Sequence, residues 1–167
     1  SPNELIEKLW RYGRYLFISG SSKDGFPFSM YGLWCGDYKA VWSHNMANEN
    51  IQMMYWHTNI GNLEELNKAL LDYYINRLDS FKECAKKLYG CNGIFIPAGT
   101  TPNMPLPCQL VPVIINWTGA AGWLAQHYYK YYSYTGDTEY LHSVVLPFMK
   151  AAADIRYLPY RNNIYNN

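Results

Sequence analysis

Apolar residues at Leu5, Leu9, Tyr12 and Leu16 recur at steps of four, three and four. This stripe predicts an amphipathic helix over residues 4–18 that stops near Gly20. Residues 20–45 lose the period and carry Gly20, Gly25, Pro27, Gly32 and Gly36 among aromatics, the composition of an irregular loop. Asn62 followed by Glu65 reads as a helix start. Leu63, Leu66, Leu70, Tyr73 and Tyr74 continue that face toward Arg77, and a further helix is expected from Ser80 to Leu88, closed by Gly90. Between Gly90 and Pro112, five prolines exclude a helix interior and define a second long loop. Helical spacing returns from Ile115 to Tyr134, with Leu124, Tyr128 and Tyr131 on one side and the small residues 119–122 allowing close approach of a neighbour. Thr135-Gly136-Asp137 reads as a turn in which Asp137 caps a last helix, 138–156, kinked or broken at Pro147. No strand-like alternation of any length is visible, so the predicted class is all-α. The two helix pairs share no fixed period, which disfavours a simple repeat array. Unequal aromatic-rich loops between helices suit an α/α toroid, whose loops gather into a pocket at one end.

Composition narrows the functions available. The chain of 167 residues has a formal net charge of +1 and no long basic run, which speaks against a nucleic-acid partner. No apolar stretch reaches the roughly 18 to 20 residues of a membrane span. The opening "SPNEL" reads like a helix met partway through a protein, and the compartment is left open. Cys35, Cys84, Cys91 and Cys108 form no CxxC pair and lack matching histidine spacing, so neither a metal site nor a cofactor is expected. The unusual feature is aromatic: 17 tyrosines and 6 tryptophans. Such rings fill cores, and their apolar faces also stack on sugars.

The stretch "NMANENIQMMYW", residues 45–56, concentrates three asparagines just before apolar and aromatic residues. Asn48 or Asn50 could cap a helix running through Gln52, Met53 and Tyr55. One cap accounts for one asparagine. On an extended segment, i and i+2 side chains point to one side, so the pair could instead serve one polar site. Glu64 and Glu65 fit a first helical turn, where carboxylates favour the dipole. His44 and the Gln126-His127 pair could be ordinary loop or packed residues as readily as pocket ones. Asn116-Trp117-Thr118 has the form of a glycosylation sequon.

"NENIQMMYWHTNIGNLEEL" (48–66) resembles a segment of glycoside hydrolase family 95, the inverting α-L-fucosidases and their α-L-galactosidase relatives. "YGRYLFISGSS" (12–22), "YGLW" (31–34) and "GAAGWLAQHYYKYYSYTGDTEYL" (119–141) are similar to further blocks of that family in the same order, over roughly residues 10–153. The resemblance implies a six-hairpin α/α toroid of which residues 1–167 form a single partial domain, about half of the ring, with long loops at 20–47 and 90–114. It implies hydrolysis of terminal α-L-fucosyl or related linkages with inversion when the domain is complete, and inactivity of the piece alone. Asn48 and Asn50 become the pair that holds the attacking water, while Trp34, Tyr55 and Trp56 become pocket walls; His44, Trp117 and His127 join them as substrate-binding candidates from their own positions in the chain. The general acid and a helper aspartate belong, by this likeness, to segments beyond the matched hairpins. Met46 and Glu49 stand where family members commonly have histidine and isoleucine, which leaves the exact sugar open. The expected partners are an oligosaccharide or glycan and either the remainder of the same domain or an oligomer partner. A non-catalytic sugar-binding α/α domain and a helical protein-interaction scaffold are the alternatives.

Overall fold

The computed structural model describes residues 1–155. Helix α1 spans Pro2–Gly20 and starts on a capping box: Ser1 accepts from the Glu4 N–H while Glu4 reaches back to the Ser1 amine. A loop leads to a two-residue strand β1 (Asn45–Met46), a short helix α2 (Asn50–Tyr55), then α3 (Glu64–Ile75) and α4 (Leu78–Tyr89). Strand β2 (Gly99–Thr100) lies in the proline-rich segment, followed by a helical turn α5 (Pro112–Ile115) and the long α6 (Ala120–Thr135). Helix α7 (Thr138–Tyr140), a π-helical turn (Leu141–Val145) and α8 (Leu146–Asp154) form one run. The predicted end of that run at position 156, and the tail "RYLPYRNNIYNN", lie outside the described residues.

The all-α class holds, with one addition. β1 and β2 pair antiparallel, Asn45 opposite Thr100 and Met46 opposite Gly99. Strands of two residues carry no alternation to read, so this ladder is invisible to periodicity. The 90–111 segment is irregular, as expected, yet Ile94, Phe95, Ile96 and Ala98 are buried. It can cross the interior because its main chain is bonded: Ile94 N–H to Ala151 O, Phe95 N–H to Phe81 O, Cys108 N–H to Gly99 O.

The main core joins α2, α3, α6 and the α7–α8 run. Tyr128 of α6 is its hinge pin. Its ring stacks on Phe148 of α8 with centroids 4.0 Å apart, and its hydroxyl donates to Leu71 O of α3 at 2.6 Å, so one side chain ties three helices. A smaller cluster of Cys84, Ala85, Cys91, Phe95 and Ile155 sits under α4.

Two expectations need correction, and one that holds has an unexpected setting. Asn62 does not cap α3; the N-cap is Leu63 without a side-chain bond, and Asn62 has a left-handed φ of 54°, so its side chain is not placed to receive the first-turn N–H groups. Pro147 does not break the final run. The helix widens to the π turn immediately before it, with the Leu146 N–H reaching Leu141 O, and Pro147 lies in the first turn of α8, where its missing N–H costs least. The apolar stripe of α1 is exposed: Leu5, Leu9 and Tyr12 are 58%, 60% and 61% accessible, and only Phe17 of this helix is buried.

Gly90 and Gly93 both adopt positive φ, 65° and 91°, but only Gly93 is crowded, since a Cβ there would meet Ile155 N at 2.5 Å and Ala151 O at 2.8 Å. Gly90→Ala should cost about 1 kcal/mol from φ alone. Gly93→Ala should cost about 3 kcal/mol or more, because strain and backbone overlap add. Chemical denaturation of the two variants checks the ordering.

Candidate functional site

The asparagine stretch forms the corner between β1 and α2. Asn45 is buried, and its Nδ2 donates to the Tyr73 hydroxyl at 3.0 Å, which in turn donates to Pro102 O at 3.0 Å. Ala47 N–H donates to Ala98 O at 2.7 Å, and Gln52 Nε2 donates to Ala47 O at 2.6 Å. The chain enters α2 at Glu49, the N-cap, which makes no side-chain cap bond. Capping therefore explains neither Asn48 nor Asn50. Asn48 Oδ1 is buried and has no hydrogen-bond partner among the described residues. An orphaned carboxamide oxygen costs roughly 1 to 3 kcal/mol of desolvation unless something supplies a donor. Asn50 instead directs Nδ2 at Met30 Sδ, 3.9 Å away.

Met30 lines a cavity of about 640 Å³ between α1, the 28–34 loop and α2, together with Trp10, Phe28, Tyr31, Trp34 and Met53. Trp34 thus faces this cavity. Tyr55 does not; it is 1% exposed, edge-on to Phe17 at 5.0 Å, and its hydroxyl accepts the Phe28 N–H at 2.8 Å. Burial pushes its phenol up to about 12. Tyr55 supports the cavity wall from behind by fixing Phe28.

The other candidates lie apart from that cavity. Trp56, at the C-terminal end of α2, meets His127 edge-on at 5.3 Å, and Lys130 Nζ sits 3.2 Å above its ring centroid. His127 is 1% exposed. Burial, with a smaller contribution from the Lys130 charge, lowers its imidazole to about 4. His44 precedes β1, and its Nε2 is buried without a partner. A Cβ on Gly99 would come within 2.8 Å of the His44 ring, so a larger residue there would push the ring aside. Trp117 is partly buried against the main core. Glu64 and Glu65 occupy the first turn of α3, as their spacing predicted. Asn45, Gln52 and Tyr73 were missed as site-building residues. The first two stood in the asparagine-rich stretch, whereas nothing local marks Tyr73.

All four cysteines are free, Cys84 and Cys91 buried. Among the described residues no group of three His, Cys, Asp or Glu could hold a metal ion, and no helix is long and apolar enough to cross a membrane.

The sequence profile of the Glycosyl hydrolase family 95 catalytic domain matches residues 1–157. The chain belongs to glycosyl hydrolase family 95. It is 31% identical over 153 residues to alpha-L-fucosidase 2 of Arabidopsis thaliana, an alignment covering 87% of this chain and 18% of that protein. It is 28% identical over 148 residues to probable alpha-fucosidase A of Aspergillus niger, covering 87% and 19%. A third relative, probable alpha-fucosidase A of Aspergillus oryzae, is 38% identical over 91 residues. The chain spans about a fifth of the length of the first two relatives. Its helix-rich structure agrees with the α/α toroid of the family 95 catalytic domain.

His127 gives a pH signature. Its folded value lies below the ordinary 6.5, so the unfolded chain binds the extra proton between about 6.5 and about 4. Stability should be complete above that window and fall as pH drops through it. His127→Gln should flatten that part of the stability curve, and the His127 imidazole NMR signals should stay fixed from neutral pH down to about 5; titration near 6.5 would contradict the burial.

Proposed function

We propose that this chain is part of the catalytic domain of an inverting glycoside hydrolase acting on terminal α-L-fucosyl or closely related linkages, with Asn48 and Asn50 holding the attacking water. The observation that carries the reading is the buried, unpartnered Oδ1 of Asn48, two residues before an asparagine whose side chain reaches Met30 in the wall of the 640 Å³ cavity. Membership of family 95 and the names of the relatives support the substrate class.

The chemistry follows from what a carboxamide can do. Its oxygen accepts one O–H of water and aims the water's lone pair, but it is too weak a base to remove the proton. A carboxylate elsewhere in the complete domain must take that proton as the oxygen bonds to the anomeric carbon. A carboxylic acid on the opposite face must protonate the departing glycosidic oxygen, with room for water between the two groups. Trp34, with Tyr31 and Met30, offers an apolar wall for a sugar face. Residues 1–167 form one partial domain in this reading, and its partner is the rest of the same domain. The exposed Leu5, Leu9 and Tyr12 stripe of α1, of which Leu9 and Tyr12 also line the rim of this cavity, is the surface we assign to that contact, so the rest of the domain would close the cavity from that side.

In the full-length protein, the Asn48→Ala, Asn50→Ala double variant should lower kcat on an aryl α-L-fucoside by about 10²- to 10⁴-fold, the scale of losing a positioned proton-transfer partner. Unchanged turnover would remove the site assignment. The stripe has its own check. Leu5→Lys with Leu9→Lys should lower the unfolding midpoint of the full-length protein by the equivalent of about 2 kcal/mol or more, since two side chains would bury charge against apolar neighbours. No shift would mean that α1 faces solvent in the whole enzyme.

A further inference from the structure

Gln52 is 0% exposed and lies one helical turn beyond Asn48. Its side-chain amide does one thing: Nε2 donates to the Ala47 carbonyl at 2.6 Å, while its own Oε1 has no partner among the described residues. The orientation is forced, because the reversed amide would set Oε1 against the Ala47 oxygen. On the other side of the same residue, Ala47 N–H donates to Ala98 O at 2.7 Å. Both peptide groups flanking Ala47 are thereby held, one by β2's approach and one by Gln52. The second is the peptide whose nitrogen belongs to Asn48.

That hold matters because the ladder fixes the chain only up to Ala47, and no side-chain hydrogen bond among the described residues fixes the Asn48 oxygen. Its Oδ1 makes no bond to the protein, and the N-cap Glu49 adds no side-chain cap to stiffen the corner. Gln52 is in turn backed by α6, whose buried His127 ring meets Trp56 at the end of the same short helix. On the reading that Asn48 orients the nucleophilic water, we infer that Gln52 is a positioning residue for the Asn48 carboxamide, acting through the Ala47 carbonyl and touching neither water nor sugar. The hydrogen-bond donor is the essential property. A displacement of about 1 Å in a reacting group can cost 10²-fold in rate, so a bond of this kind has leverage on kcat.

The test uses the full-length protein and an aryl α-L-fucoside, comparing wild type, Gln52→Met, Gln52→Glu, Asn48→Ala and the Gln52→Met, Asn48→Ala double variant. Gln52→Met keeps the volume and removes the donor, and should lower kcat about 10- to 100-fold with KM little changed. The double variant should be no slower than Asn48→Ala alone, because the two losses share one route. Gln52→Glu provides the conservative rescue and also decides the matter should the methionine variant not fold. A carboxyl buried at this position has a raised pKa. As pH falls it regains a proton to donate to Ala47, so its kcat relative to wild type should climb. An unaltered kcat in Gln52→Met, an additive double variant, or a Gln52→Glu ratio flat with pH would each overturn the inference while leaving the asparagine pair intact. Full activity in Asn48→Ala would instead overturn the site reading beneath it.

Discussion

The two-residue ladder between Asn45–Met46 and Gly99–Thr100 is the constraint on which the candidate site rests. It fastens the corner before α2 to a segment more than 50 residues away, and without it the asparagines would sit on a loop free to take many directions. The hydrogen bonds around it are mutually supporting. Ala47 reaches Ala98, Asn45 reaches the Tyr73 hydroxyl, and that hydroxyl reaches Pro102, so β1, β2 and α3 share one buried polar connection. Gly99 is part of the same arrangement, because a larger residue there would push the His44 ring aside.

Behind this connection the helices supply rigidity. Tyr128 links α3, α6 and α8 through one stacked ring and one hydroxyl, and α6 also brings His127 against α2. The short α2 has too few residues to be stable from its own hydrogen bonds, so its place is dictated by Ile51, Gln52 and Tyr55, all buried. Two of its faces then carry different duties. One seats the helix in the core, and the other turns Met53 toward the large cavity and Asn50 toward Met30 in its wall.

The buried polar atoms divide in an informative way. Asn45, Asn59 and Asn67 find side-chain partners within the chain, as buried amides normally do, although Asn67 Oδ1 itself lacks one. Asn48 Oδ1 and His44 Nε2 remain unpartnered close to the same corner. Unpartnered buried atoms also occur at Ser21, His57, Tyr74 and His127; in a domain that belongs to a hydrolase family, those at this corner support the proposed site, which the rest of the domain would complete. The exposed apolar stripe of α1 points the same way, as a face shaped for packing that the described residues do not cover.

Local pattern alone determined the longer helices, since apolar residues at steps of three and four can be buried together only on a helix, and glycines at 90 and 136 mark left-handed ends that few other residues adopt. It also singled out the asparagine stretch and, through its order of motifs, the family. Tertiary structure decided what the pattern could not: that Asn62 caps nothing, that Tyr55 belongs to the core rather than to the cavity, that Trp56 pairs with His127 and Lys130, and that neither Asn48 nor Asn50 serves as a cap. The reason is the range of the forces involved. A helix period is written in neighbours a few residues apart, whereas the direction of a carboxamide depends on which distant main-chain groups arrive beside it.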